Sequence, residues 1–211
     1  MIIDVFQDTV CPWCRIGKSY LTEALGLWKG EPVSVRFRAF RLDSSIPPKG
    51  VPFTEAMSRK LQDPSGEKLQ AELDGVTRAG RQAGIPFRFD RILSMPDTRL
   101  SHQLIAAVPE SSKSLVLDRI YRAYFEEGLD IGMESVLLRI AGECGLEPAE
   151  TAKRLYHEDV ENSVRADYAL AKRLNINGVP FFILNKKVGF SGARPPEALL
   201  DIMTRVSENR E

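Results

Sequence analysis

Cys11 and Cys14 stand two residues apart in the stretch Asp4-Val5-Phe6-Gln7-Asp8-Thr9-Val10-Cys11-Pro12-Trp13-Cys14-Arg15-Ile16-Gly17, and they are two of only three cysteines in the chain. A pair at this spacing suits thiol–disulfide exchange, in which one thiolate attacks a disulfide and a second thiol resolves the mixed disulfide. A free thiol titrates near pH 8.5, so the attacking sulfur must be stabilised as an anion to work at neutral pH. The start of a helix provides such stabilisation through unpaired N–H groups and the positive end of its dipole. Metal binding is the competing use of the motif. A structural zinc site needs four ligands and usually a second close pair, whereas this chain adds only Cys144, His102 and His157, far apart in sequence. No metal is therefore expected.

The flanking sequence supplies the required helix start. Ile2, Ile3, Val5 and Phe6 form an apolar run of strand length, and Trp13, Ile16, Tyr20, Leu21, Ala24, Leu25 and Trp28 follow at helical spacing. Pro12 suits the first helical turn, where no N–H partner is lost. Cys11 then sits at the helix start and Cys14 one turn inside, on the same side, so Cys11 is expected to be the more acidic and more exposed thiol. Val33 to Phe40 alternates apolar and polar residues with period two, as a strand covered on one side does. This opening unit reads β-α-β.

From Pro47, Pro48, Gly50 and Pro52 onward the pattern changes, and no strand is predicted between Phe53 and about Asn162. Helical stripes run through Leu69, Leu73 and Val76, through Leu100, Leu104 and Ala107, through Val116, Ile120 and Tyr124, and through Leu137, Ile140 and Cys144. The last stripe puts Cys144 on a core face, where a free cysteine acts as a small hydrophobe. A further helix over Val160 to Leu174 stops at Asn177-Gly178, and Phe181 to Leu184, a turn at Asn185-Lys186-Lys187, Val188 to Phe190 and a helix from Pro195-Pro196 complete the chain. The expected fold is α/β: β-α-β and α-β-β-α halves, residues 1–41 and 163–211, joined around an all-helical insertion, residues 42–162.

Composition narrows the function. The 29 basic residues are balanced by 29 acidic ones, so no general field attracts nucleic acid or an anionic membrane. No window approaches the roughly 18 apolar residues of a membrane span, and Met1 leads directly into the first strand without a charged and apolar leader. Together with only three cysteines, this places the chain in the cytoplasm as an expectation.

The segment from Asp4 to Leu25 resembles the opening of DsbA-like thioredoxin-fold oxidoreductases, and Asn177-Gly178-Val179-Pro180-Phe181-Phe182-Ile183-Leu184 followed by Ser191-Gly192-Ala193 resembles their closing half. Phe87-Arg88-Phe89-Asp90, Asp97-Thr98 with His102, and Arg122-Ala123-Tyr124-Phe125 are similar to the helical insertion of the cytoplasmic FrnE-type branch, a group of protein disulfide isomerases or oxidoreductases. The resemblance implies a thioredoxin-like domain split by a helical cap, Cys11 and Cys14 as the redox pair, and Pro180 as a cis-proline facing them. Pro12, Trp13, Val179 and His102 then fall to substrate binding, Val179 through its backbone beside the cysteines. The implied partners are thiol- or disulfide-containing proteins or small molecules, with no bound cofactor and with glutathione as a candidate redox partner.

The alternative is a glutathione-dependent isomerase or kappa-type glutathione transferase of the same architecture. Those enzymes carry serine at the first cysteine position, and the transferase type tends to carry an acidic residue where Arg194 stands here. Arg36, Arg38 and Arg41 alternate along and just beyond a strand and read as a solvated face. His157 has no supporting context.

Overall fold

The computed structural model describes residues 1–208, with residues 209–211, the end of the expected second segment, outside the described residues. In chain order the elements are β1 (Ile2–Gln7), α1 (Pro12–Leu27), β2 (Ser34–Ala39), β3 (Val51–Pro52), α2 (Phe53–Leu61), α3 (Glu67–Gln82), a 3-10 turn (Phe89–Arg91), β4 (Ser94–Met95), α4 (Arg99–Ala107), α5 (Glu110–Phe125), α6 (Glu134–Glu143), α7 (Pro148–Leu155), α8 (Glu158–Arg173), β5 (Phe181–Leu184), β6 (Val188–Ser191) and α9 (Pro196–Glu208). The chain divides into two compact units: Met1–Leu42 together with the chain from Asp167 onward, and Asp43–Ala166 between them.

The first unit is built on a four-stranded sheet in the order β2-β1-β5-β6. β1 runs parallel to β2 and antiparallel to β5, and β5 pairs antiparallel with β6. β1 is apolar along most of its length because both of its faces are covered. Ile3 and Val5 pack with Leu21 and Ala24 of α1 and with Leu199, Met203 and Val206 of α9. Phe6 points the other way, into Ala171 of α8 and Ile176. Asn185 and Lys186 take positive φ in the turn between β5 and β6, and the Asn185 side chain accepts the Ile2 N–H at 2.8 Å, tying the turn to β1. Phe182 and Phe190 face each other across β5 and β6 with stacked rings 5.0 Å apart.

The α8 side of the sheet also holds a half-buried ion pair, which corrects the expectation of a solvated face at Arg38. Arg38 donates through Nε to Asp4 at 2.8 Å and through Nη1 to Asp167 at 3.0 Å, while Asp167 accepts the Ala39 N–H at 3.0 Å. Burial opposes the cation, but the two carboxylates more than offset it and raise the Arg38 pKa. Period two along β2 distinguishes the two faces of the strand but not whether a distant helix covers one of them. Replacing Arg38 with Met would leave two nearly buried carboxylates without their cation. With 28% of the arginine side chain exposed, the expected loss is about 2 kcal/mol in urea unfolding, below the cost of breaking a fully buried pair. An unchanged unfolding midpoint would show that this cluster does not secure α8.

The second unit is helical, with its interior formed largely by α5 and α6, where Val116, Leu117, Ile120, Tyr121, Tyr124, Leu137 and Ile140 are almost fully buried. Two expectations need correction here. Val51–Pro52 and Ser94–Met95 form a short antiparallel ladder, too brief to show a period in sequence. Cys144 is not on the core face of α6. Gly145, at φ +78°, ends the helix, Leu146 N–H returns to Ala141 C=O, and Cys144 becomes the half-buried cap residue. Helices α2 and α7, of nine and eight residues, lie in the segments that the sequence patterns left unassigned.

Candidate active site

The site begins where β1 ends. The loop of Asp8, Thr9 and Val10 turns the chain into α1, with the Cys11 N–H donating to Asp8 C=O at 3.0 Å. Cys11 is the N-cap of α1, in extended conformation at φ −93° and ψ 110°, and Pro12 occupies the first turn. A cap side chain accepts one of the otherwise unpaired amides of the first turn, a task that serine or aspartate usually performs. Here the sulfur performs it, as Cys11 Sγ accepts the Cys14 N–H at 3.2 Å. No acidic residue in the first turn competes for the positive end of the helix.

From the other half of the sheet, the Val179-Pro180 bond, which is cis, precedes β5. Cys11 Sγ donates to the Val179 carbonyl at 3.5 Å, so residues 168 apart in sequence meet at the sulfur. Val179 packs with the cluster of Phe6, Ala171 and Ile176, and the Pro180 carbonyl accepts the Gly192 N–H at 2.9 Å, which anchors this edge at the start of the hairpin.

Both cysteines are free thiols and both are buried, Cys11 at 3% and Cys14 at 2% relative exposure. This corrects the expectation of an exposed Cys11: the N-cap sulfur is turned back onto the Cys14 amide and covered by the Val179 carbonyl. The two thiols differ in environment rather than in exposure. Burial raises the Cys14 pKa well above the usual thiol range, and a hydrogen bond to Cys11 and the charge on Cys11 reinforce the rise. Cys14 is therefore held as a thiol.

Cys11, Cys14, Val179 and Pro180 are brought together within one unit. Pro12 flanks them, and Trp13, 42% exposed, presents its indole to solvent between the cysteines. His102 belongs to the helical unit, where it is buried in α4 and its N–H donates to Thr98 C=O. Cys144 lies in the same unit, with burial pushing its thiol pKa up. His157 is exposed and bonded to Asp159. Arg194 lies over the Phe190 ring at 6.0 Å. Asp8 was missed in the sequence. It is 1% exposed, its carboxylate accepts the Leu42 N–H at 2.8 Å, and both its backbone and its charge act on Cys14. An acidic residue three positions before the first cysteine was the available signal.

Among the described residues, no group of three or more histidine, cysteine, aspartate or glutamate side chains is placed to hold a metal ion, and no helix is long and apolar enough to cross a membrane. A probable DsbA oxidoreductase from Streptomyces coelicolor has a similar structure, with TM-score 0.90 and 28% identity over 100% of this chain and 92% of that one. The cytosolic disulfide reductase DsbM from Pseudomonas aeruginosa, with GSH, shares the fold at TM-score 0.70 and 20% identity, covering 97% of this chain and all of that one. The uncharacterized protein YwbO of Bacillus subtilis is 27% identical over 191 residues, 88% of each chain. The DSBA-like thioredoxin domain matches residues 2–204, nearly the whole length over which the sheet, the N-cap cysteine and the Val179-Pro180 edge are laid out, and the chain belongs to that family.

Proposed function

We propose that the protein is a thiol–disulfide oxidoreductase of the FrnE-type branch, with Cys11 as nucleophile and Cys14 as resolving thiol. The observation that carries this reading is the N-cap geometry, which aims the Cys14 amide at Cys11 Sγ while burial keeps Cys14 protonated. Cys11 thiolate attacks a substrate disulfide, the S–S bond breaks, and one substrate thiolate leaves as a mixed disulfide forms. Cys14 then attacks Cys11 Sγ, and its proton passes to the second substrate sulfur, which leaves as a thiol. The substrate is reduced by two electrons and the protein is left with a Cys11–Cys14 disulfide. The same steps in reverse oxidise a dithiol.

An extended substrate segment lies along the backbone of Val179 beside Pro180, with Trp13 offering an apolar contact and Pro12 completing the rim. The protein works in the cytoplasm with glutathione as small-thiol partner, a reading supported by DsbM, a fold relative named as a cytosolic disulfide reductase with GSH. Dithiothreitol-driven insulin reduction tests the assignment against the transferase alternative. Insulin precipitation should accelerate in proportion to protein, and chlorodinitrobenzene should not be conjugated to glutathione. Conjugation without insulin turnover would reverse the assignment.

A further inference from the structure

Gly17 lies in the second turn of α1, buried and six residues after Cys11. A β-carbon at this position would lie 3.1 Å from Pro180 Cγ, 3.5 Å from Pro180 Cβ and 3.4 Å from Phe182 Cζ. At Gly26, in the same helix, a β-carbon would meet nothing within 4 Å. Glycine inside a helix is destabilising relative to alanine, so its presence at a buried position calls for a local reason. At Gly17 the reason is the Pro180 ring, which rests against the bare backbone of α1. That contact sets how closely the edge bearing Val179 approaches the helix whose N-cap is Cys11. The Val179 carbonyl is one residue from the ring and 3.5 Å from Cys11 Sγ.

We propose that Gly17 is a positioning residue for disulfide peptide substrates: by admitting the Pro180 ring against α1, it holds the Val179 backbone at the distance from Cys11 at which an extended segment can present its disulfide to the sulfur. This rests on the oxidoreductase reading above. A methyl group at residue 17 displaces the ring by a few tenths of an ångström, and the Val179 edge moves with it. The Cys11 cap bond to the Cys14 amide lies within the first turn of α1 and stays in place. Substrates that need the edge are therefore affected strongly, whereas those that need only the sulfur feel no more than a small change at the contact between Cys11 Sγ and the Val179 carbonyl.

The test compares the unaltered chain with Gly17→Ala and Gly26→Ala on two substrates. One is a fluorescence-quenched peptide with an internal disulfide, and the other is hydroxyethyl disulfide, which has no peptide backbone. Gly17→Ala should lower kcat/KM for the peptide about tenfold, as expected for a sub-ångström misplacement of a reacting group, and leave hydroxyethyl disulfide within about twofold. Gly26→Ala should match the unaltered chain on both substrates. Equal losses on the two substrates, or an unchanged peptide rate in folded Gly17→Ala, would overturn the proposal. An unaltered chain that turned over neither substrate would overturn the oxidoreductase reading, and this inference with it. Should Gly17→Ala fold poorly, thermal melting with and without Pro180→Ala reads the same contact. The methyl group should lower Tm beside the intact ring and cost little once the ring is truncated, and an equal cost in both backgrounds would also overturn the proposal.

Discussion

A Cys14→Ser variant should accumulate covalent adducts at Cys11, and a Cys11→Ser variant should accumulate none. The asymmetry follows from the positions of the two sulfurs. Cys11 caps α1 and lies against the Val179 carbonyl, and in the proposed mechanism it is the sulfur that meets a substrate. Cys14 lies one turn inside, with its pKa raised above the usual thiol range, and in the same mechanism it is the sulfur that waits. With Cys14→Ser the first attack proceeds, but the mixed disulfide has no internal thiol to resolve it and must await an external one. Loss of the intramolecular step removes an effective concentration that can reach roughly 10⁵ M or more for well-oriented groups, so steady-state turnover should fall by several orders of magnitude. The measurement is a nonreducing gel of acid-quenched, alkylated lysate with mass identification of what is attached to Cys11. Equal trapping by both variants would refute the division of labour. The absence of adducts in both, with folding intact, would point back to the glutathione-transferase alternative.

The second large effect is on stability. In the reduced protein the folded-state pKa of Cys14 is raised, by burial first and by its bond to Cys11 second. An unfolded thiol ionises near pH 8.5. A group whose folded pKa lies above its unfolded value contributes stability that is fully present below the unfolded pKa and is lost as pH rises toward the folded one. Above about pH 8.5 the unfolded chain sheds a proton that the folded chain retains, and the unfolding free energy should fall by about 1.4 kcal/mol per pH unit for this thiol. Urea unfolding from pH 7.5 to 10 reads the slope, best in a Cys144→Ser background because burial raises that thiol as well. Cys14→Ala should remove this contribution, and so should formation of the Cys11–Cys14 disulfide, which leaves neither thiol to titrate. An identical slope with and without Cys14 would show that its burial does not perturb it.

Much of this was legible in the sequence because the decisive signals are local. An apolar run, Cys11-Pro12-Trp13-Cys14 and a helical stripe are enough to define a strand, a capped helix start and two thiols one turn apart. The two outer segments carried the four-stranded half of the fold, and Val179-Pro180 stood directly before its third strand in chain order. The signals failed where neighbours in space, not in sequence, determine a residue's environment. Arg38 alternates along β2 as a solvent-facing residue would, yet α8 brings Asp167 to it and makes it a half-buried, paired cation. Cys144 continues the stripe of Leu137 and Ile140, but Gly145 at positive φ ends the helix and leaves the cysteine half-buried at its cap. Cys11 lies at the helix start as its sequence position requires, but the Val179 carbonyl covers its sulfur, so exposure does not distinguish the two thiols. Gly17 carries no signal at all along the chain, where it is one glycine in a helix. Its meaning lies in the 3.1 Å between its missing β-carbon and the Pro180 ring, a contact across 163 residues of sequence that exists only once the chain has folded. Periodicity and capping chemistry act within a few residues and so were determined by the sequence alone. Burial, charge pairing and the spacing of the two halves of the site depend on which faces the sheet brings together, and the tertiary structure decided those.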